Sequence, residues 1–249
     1  MEKYISKKEK ASYGFAAVGS YMVAGITQSY LMYFFTDILI IPSSFVMMLM
    51  IVARVWDAAN DPIMGVIVDR TNTKYGKMRP YVLAGSFLML VTTVVLFMPL
   101  TGASKTFKMI FAAVSYIIFG MAYTLTDVPA MGLMSVATPN SDERASLLSF
   151  YVTVGSVGSL LPVGLLTVFQ SFIPEKYVYF AMSIFVGIIT SSAYLVLFKN
   201  SKERFSTHTE KIAVRDMIKA ACKNKPMMMA LLMSMTASPR YLIMPAALY

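Results

Sequence analysis

One short stretch, Arg54-Val-Trp-Asp-Ala-Ala-Asn-Asp-Pro-Ile-Met-Gly65, sets an arginine, two aspartates and an asparagine between apolar neighbours. Asp57, Asn60 and Asp61 stand at i, i+3 and i+4, so on a helix they share a face and their oxygens can converge. Two carboxylates with an amide carbonyl between them make a hard-oxygen cluster suited to a small cation such as Na+. Charges at bilayer depth are costly and persist where they pair, line a water-filled cavity or bind an ion. The simpler reading is an ion pair with Arg54, three residues before Asp57. One arginine cannot neutralise two carboxylates, so a second cation or a bound proton is still required. A third acid, Asp127, lies in another apolar run just ahead of Pro129. It serves either a transported solute and its coupling, or a hydrogen bond to a neighbouring helix.

The elements that must position these groups are helices in a membrane. The chain has 249 residues, 57% of them hydrophobic and 14% charged, in apolar runs too continuous for alternating strands. The fold class is all-α and polytopic, with spans expected at about 12–36, 45–68, 81–100, 107–138, 145–172 and 177–198. Ser43 or Ser44 is the expected cap of the second helix, and Pro62 frees carbonyls near residue 58 beside the carboxylates. Tyr30 and Tyr33 suit a membrane interface. Gly155, Ser156, Gly158 and Ser159 permit close helix contact. The 22 methionines read as packing and lipid-facing residues rather than a metal pathway. Residues 1–198 thus form a six-helix bundle and 199–225 a hydrophilic loop. In that loop Val214, Met217, Ile218 and Ala221 predict a surface amphipathic helix. Residues 226–249 open a further span, so the chain reads as the first half of a twelve-helix protein plus an incomplete seventh helix.

The net charge is +9. The basic residues concentrate in the N-terminal tail (Lys3, Lys7, Lys8, Lys10), in the 70–79 loop, at Arg144 and between Lys199 and Lys225. Lys105, Lys108 and Lys176 fall in the opposite loops. This asymmetry follows the positive-inside rule and predicts a multi-pass plasma (inner) membrane protein with a cytoplasmic N-terminus. It is no nucleic-acid footprint. The first apolar run is too long for a signal peptide and five more follow it. Cys222 is the lone cysteine and cannot form an internal disulfide; His208 lies in the hydrophilic loop. The sequence shows no phosphate loop, metal-ligand cluster or nucleophile triad, so no enzyme and no cofactor are expected.

Two further patterns carry a family resemblance. Gly65-x-x-x-Asp69-Arg70 followed by Gly76-Lys-x-Arg-Pro80 resembles the loop between helices two and three of the major facilitator superfamily. The Arg54–Gly65 stretch, Tyr123-Thr-x-x-Asp127-x-Pro129, Tyr13-Gly-Phe and Tyr30 through Asp37 resemble the glycoside-pentoside-hexuronide:cation symporters. The resemblance covers about residues 10–198. It implies that Asp57, Asn60, Asp61 and Thr124 form a site for sodium, lithium or a proton, with Asp57 and Asp61 the charged ligands and Arg54 their charge partner. It implies that Asp127 contacts sugar hydroxyls. Tyr21, Gln28 and Tyr123 are candidates to line a sugar cavity, packing being the alternative for each. Asp69 and Arg70 read as a conformational latch rather than substrate ligands.

The chain also departs from the galactoside-transporting members of that family. Their helix-one Lys-Asp pair falls at Ser20-Tyr21, their helix-four tryptophan at Met131 and their helix-five arginine near Val152. The ion side is therefore retained, while a galactoside substrate does not follow. The expectation is a secondary active symporter that couples uptake of a sugar, glycoside or uronide to a Na+ or H+ gradient by alternating access. Its partners would be the solute, a monovalent cation, the lipid bilayer and a C-terminal half of the same transporter. A non-transporting membrane scaffold or sensor of the same fold, or an inactive fragment, is the alternative.

Overall fold

In a computed structural model the chain is described over residues 4–205, with Met229 alone beyond them and Ala58 in its backbone only. The expected amphipathic helix at 214–221, the seventh span, His208 and Cys222 lie outside the described residues. Among the described residues six long helices follow one another: α1 (Lys7–Tyr33), α2 (Ser43–Arg70), α3 (Arg79–Leu96), α4 (Lys105–Ala137), α5 (Ser141–Gln170) and α6 (Glu175–Asn200). No strand is present among the described residues; the 71–78 loop holds one isolated bridge, Thr73 with Gly76.

The helix ends follow local chemistry. Ser6, Ser104 and Asn140 cap α1, α4 and α5 by accepting backbone N–H bonds, as short polar side chains do best. The expected serine cap of α2 is not made: Pro42 occupies the N-cap and Ser43 is already helical. A proline there has no N–H to leave unsatisfied, so the helix starts without a capping side chain. The first span ends in a π-helical turn, Phe34–Ile38, after α1 stops at Tyr33. α2 continues through Pro62, and Pro129 and Pro162 are likewise absorbed within α4 and α5.

α1 packs mainly against α5 and α6, α3 against α4 and α6, and α2 against α4. The small residues of α5 set one of these crossings. A Cβ at Gly158 would lie 2.6 Å from the Val18 carbonyl oxygen, and one at Gly25 would lie 2.6 Å from that of Ser159. Gly155 instead makes room for the Tyr21 ring. At the α1–α6 crossing the Thr190 hydroxyl donates to the Gly19 carbonyl at 2.9 Å.

The apolar core comes in two parts. One gathers Met22, Phe34, Phe35, Leu49, Met89, Phe97, Phe119 and Met182. The other gathers Tyr13, Ala17, Val82, Ala130, Leu133, Tyr151, Tyr194 and Leu197. Between them the helices turn polar or small: Ser20 on α1, Ser86 on α3, Thr124 and Thr126 on α4, Gly155 and Gly158 on α5, Thr190 and Ser191 on α6. That polar belt across the middle of the bundle holds the candidate site. Among the described residues α3, α4, α5 and α6 are long and apolar enough to cross a membrane. α1 and α2 are of similar length but hold Ser20, Tyr21 and Gln28, and Arg54, Asp57 and Asp61.

Candidate cation and substrate site

α2 and α4 present matching rungs to each other. The Thr124 hydroxyl donates to Asp61 Oδ1 at 2.9 Å. One helical turn earlier on both strands of this ladder, Asp57 Oδ1 sits where a Cβ on Gly120 would be 3.1 Å away. The pairs 57/120 and 61/124 therefore share one register, which only near-parallel helices of equal pitch can keep over a turn. Glycine at 120 leaves the carboxylate its space. Arg54 Nη1 approaches Asp57 Oδ2 at 3.7 Å, with both side chains partly exposed, so it is a loose partner. Asp61 is solvent-exposed apart from its threonine. Asn60 is 4% exposed, and its Nδ2 has no hydrogen-bond partner among the described residues. A buried N–H donor in that condition is costly unless an acceptor or water meets it, and it cannot itself ligate a cation.

The arrangement offers the oxygens of two carboxylates on one face of α2 with the Thr124 hydroxyl on Asp61; no contact joins Asn60 to them among the described residues. Among the described residues no group of three His, Cys, Asp or Glu stands at metal-ligand spacing.

A second cluster lies one turn further along α4. Ser20 donates to Asp127 Oδ1 at 3.1 Å and lies 3.2 Å from the Tyr123 hydroxyl. Tyr151 and Tyr194 are buried in the adjoining apolar cluster, and the Tyr151 hydroxyl has no hydrogen-bond partner among the described residues. Asp127 follows Thr124 by three residues on α4, so the two clusters are neighbours along that helix. Tyr21 packs edge-on to Tyr151, centroids 6.3 Å apart, with Gly155 against its face. Gln28 is exposed two turns beyond Tyr21 and has no hydrogen-bond partner among the described residues. Thus Asp57, Asp61, Thr124 and Arg54 are brought together, as are Tyr123 and Asp127. Gln28 stands apart. Asp69 and Arg70, in the last turn of α2, are exposed and make no side-chain bond among the described residues.

Sequence reasoning missed two contributors: Ser20 and Gly120. Ser20 entered only as a departure from a family pattern, yet it is the direct partner of Asp127. Gly120 carried no signal, since a helix glycine becomes informative only when its neighbour is known. Met131 packs partly buried at the second core and Val152 is exposed, so neither joins the cluster.

Comparison with known proteins identifies the family. A family model described as MFS/sugar transport protein matches residues 12–249. The uncharacterized symporter YjmB of Bacillus subtilis is 34% identical over 99% of this chain and 55% of its own length. The putative glycoside/cation symporter YagG of Escherichia coli is 32% identical over 81% of this chain and 44% of its own. The isoprimeverose transporter of Lactiplantibacillus pentosus is 28% identical over 88% and 47%. The chain spans about half the length of the curated relatives it matches. With its helical bundle, its apolar spans and these relatives, the chain is an integral membrane protein of a transporter family rather than an enzyme, and belongs to the glycoside-pentoside-hexuronide:cation symporters of the major facilitator superfamily.

Proposed function

We propose that this chain supplies the cation half of a coupled transport site, in a symporter that drives uptake of a sugar or glycoside with a monovalent cation. Asp57 and Asp61 provide the charge; Asn60 and Thr124 complete the oxygen shell. The observation that carries the reading is the α2–α4 ladder, in which Thr124 holds Asp61 at 2.9 Å and Gly120 makes room for Asp57. A cation there cancels the repulsion between the two carboxylates and draws α2 onto α4. Asp127, one turn beyond Thr124 on α4, then meets a hydroxyl of the solute. Because both ligands act on one pair of helices, each raises the affinity for the other by the same factor, a coupling of about 1–3 kcal/mol. Rocking of two six-helix halves around this midplane site would give alternating access.

Trp56 is the only tryptophan and adjoins Asp57, which gives a direct test. Sodium or lithium titration of its fluorescence should give a saturable change that Asp57→Asn and Asp61→Asn each abolish. If the coupling ion is a proton, the same signal should titrate with pH instead and be lost in the same variants. A response to sodium, lithium or pH that survives in both variants would overturn the assignment, as would no response to any of the three in the unmutated protein.

A further inference from the structure

The end of the bundle that carries the N-terminus is held by three carboxylates. Glu203, just past α6, accepts the backbone N–H groups of Lys77, Met78 and Arg79 at 2.8, 2.9 and 3.0 Å. These are the amides of the first residue of α3, of its N-cap Met78 and of the residue before it, and the Met78 side chain makes no capping bond. Glu203 thus caps α3 from more than a hundred residues away, and its negative charge has the right sign for the helix N-terminus. Gly76, at φ +106°, is where the carboxylate enters: any Cβ there would overlap the Glu203 head group. Arg79 fixes the other side, donating through Nη2 to the Phe198 carbonyl at 2.7 Å with its guanidinium over the Phe198 ring.

The same segment terminates α4. The N–H groups of Arg204 and Phe205 both donate to the Val136 carbonyl, at 3.2 and 3.0 Å, and Arg204 Nη1 reaches the Ala137 carbonyl at 3.4 Å. These are carbonyls of the last turn, which lack helical donors and favour a positive charge. Arg204 is in turn gripped by Glu9, which accepts from Nη1 at 2.9 Å and Nη2 at 2.7 Å and also takes the Lys202 N–H at 3.3 Å. Glu9 is 1% exposed in the first turn of α1. The third carboxylate, Glu143, works apart from this segment: it accepts the Tyr4 and Ile5 N–H groups at 3.3 and 3.1 Å and the Thr138 hydroxyl at 2.6 Å.

We propose that residues 201–205 form a capping strap, which terminates α3 and α4 in trans and locks their ends to α1, and that this strap, rather than Asp69 and Arg70, is the latch of this end of the bundle. One five-residue segment places an anion on a helix N-terminus and a cation on a helix C-terminus, and a buried glutamate of α1 holds the cation in place. Release of Glu203 frees three amides at once, and release of Arg204 frees the α4 carbonyls. The strap therefore acts as a unit, and α1, α3 and α4 move as one body while it is docked.

Hydrogen exchange on the full chain in lipid nanodiscs tests this. In Glu203→Ala the amides of Lys77, Met78 and Arg79 should exchange on the order of tenfold faster, while those of Tyr4 and Ile5, held by Glu143, stay unchanged. Glu203→Gln, which keeps one acceptor oxygen, should fall between and guards against a folding defect. Glu9→Gln and Arg204→Gln should lower the melting temperature together by less than the sum of their separate effects. Unprotected 77–79 amides in the unmutated protein would overturn the proposal. So would 77–79 exchange that responds to Asp69→Asn or Arg70→Gln and not to Glu203→Ala.

Discussion

At the scale of single residues, the site depends on two small ones on α4. Thr124 contributes a hydrogen bond to a carboxylate, a type of bond worth more than one between neutral groups. Thr124→Ala should weaken cation binding about tenfold, or about 1.4 kcal/mol, and Thr124→Ser should restore most of it. The Trp56 fluorescence titration reads both. Gly120→Ala acts through Asp57 instead, because the new methyl would press on a carboxylate oxygen 3.1 Å away. Its expected signature is weaker cation binding with no fall in melting temperature, since alanine favours the helix over glycine by about 1 kcal/mol. The presence of Asp57, Asn60 and Asp61 on one helical face could be read from their spacing. That Thr124 lies opposite Asp61 came from resemblance, because no spacing along one chain segment says which helix packs on which.

At the scale of helices, the crossings are set where a glycine lets backbones touch. A Cβ at Gly158 would meet the backbone of Val18 at 2.6 Å, and backbone cannot swing aside as a side chain can. Gly158→Ala should therefore destabilise by about 1–3 kcal/mol, measured as thermal unfolding in detergent. Gly164, on the same helix, faces nothing within 4 Å, so Gly164→Ala should be neutral or stabilising by up to about 1 kcal/mol. A fall in melting temperature as large for Gly164 as for Gly158 would refute this account of the α1–α5 contact. The sequence marked the small residues of α5 as contact formers but could not separate Gly158, which touches backbone, from Gly155, which seats the Tyr21 ring.

At the scale of the whole molecule, charge asymmetry predicts orientation. Lys74 and Lys199 belong to the basic end with the strap, and Lys105 and Lys176 to the other. With Cys222 replaced by serine, cysteines introduced at 105 or 176 should react with a membrane-impermeant maleimide on intact cells. Cysteines at 74 or 199 should react only after permeabilisation, and the reverse pattern would invert the assigned topology. The same end shows how differently the two signs are used. Lys7, Lys8, Arg144 and Lys199 point to solvent, while Glu9, Glu143 and Glu203 are bonded inward to backbone amides and Arg204. Net charge by itself hides that division.

What the sequence determined alone is the set of properties carried by local pattern: helices long enough to span, their approximate ends, and a carboxylate pair with an asparagine on one face. Helical period and hydropathy are short-range, and an intramembrane acid stands out without any knowledge of its neighbours. The fold decided what depends on contact between distant segments. It put Ser20 beside Asp127, set Gly120 beneath Asp57, left Asp69 and Arg70 without side-chain bonds among the described residues, and joined Glu203 to the start of α3 and Arg204 to Glu9. Each of those pairings joins residues separated by tens to nearly two hundred positions. In the sequence each reads as an ordinary polar or small residue, because its chemistry is defined by the partner that packing brings to it.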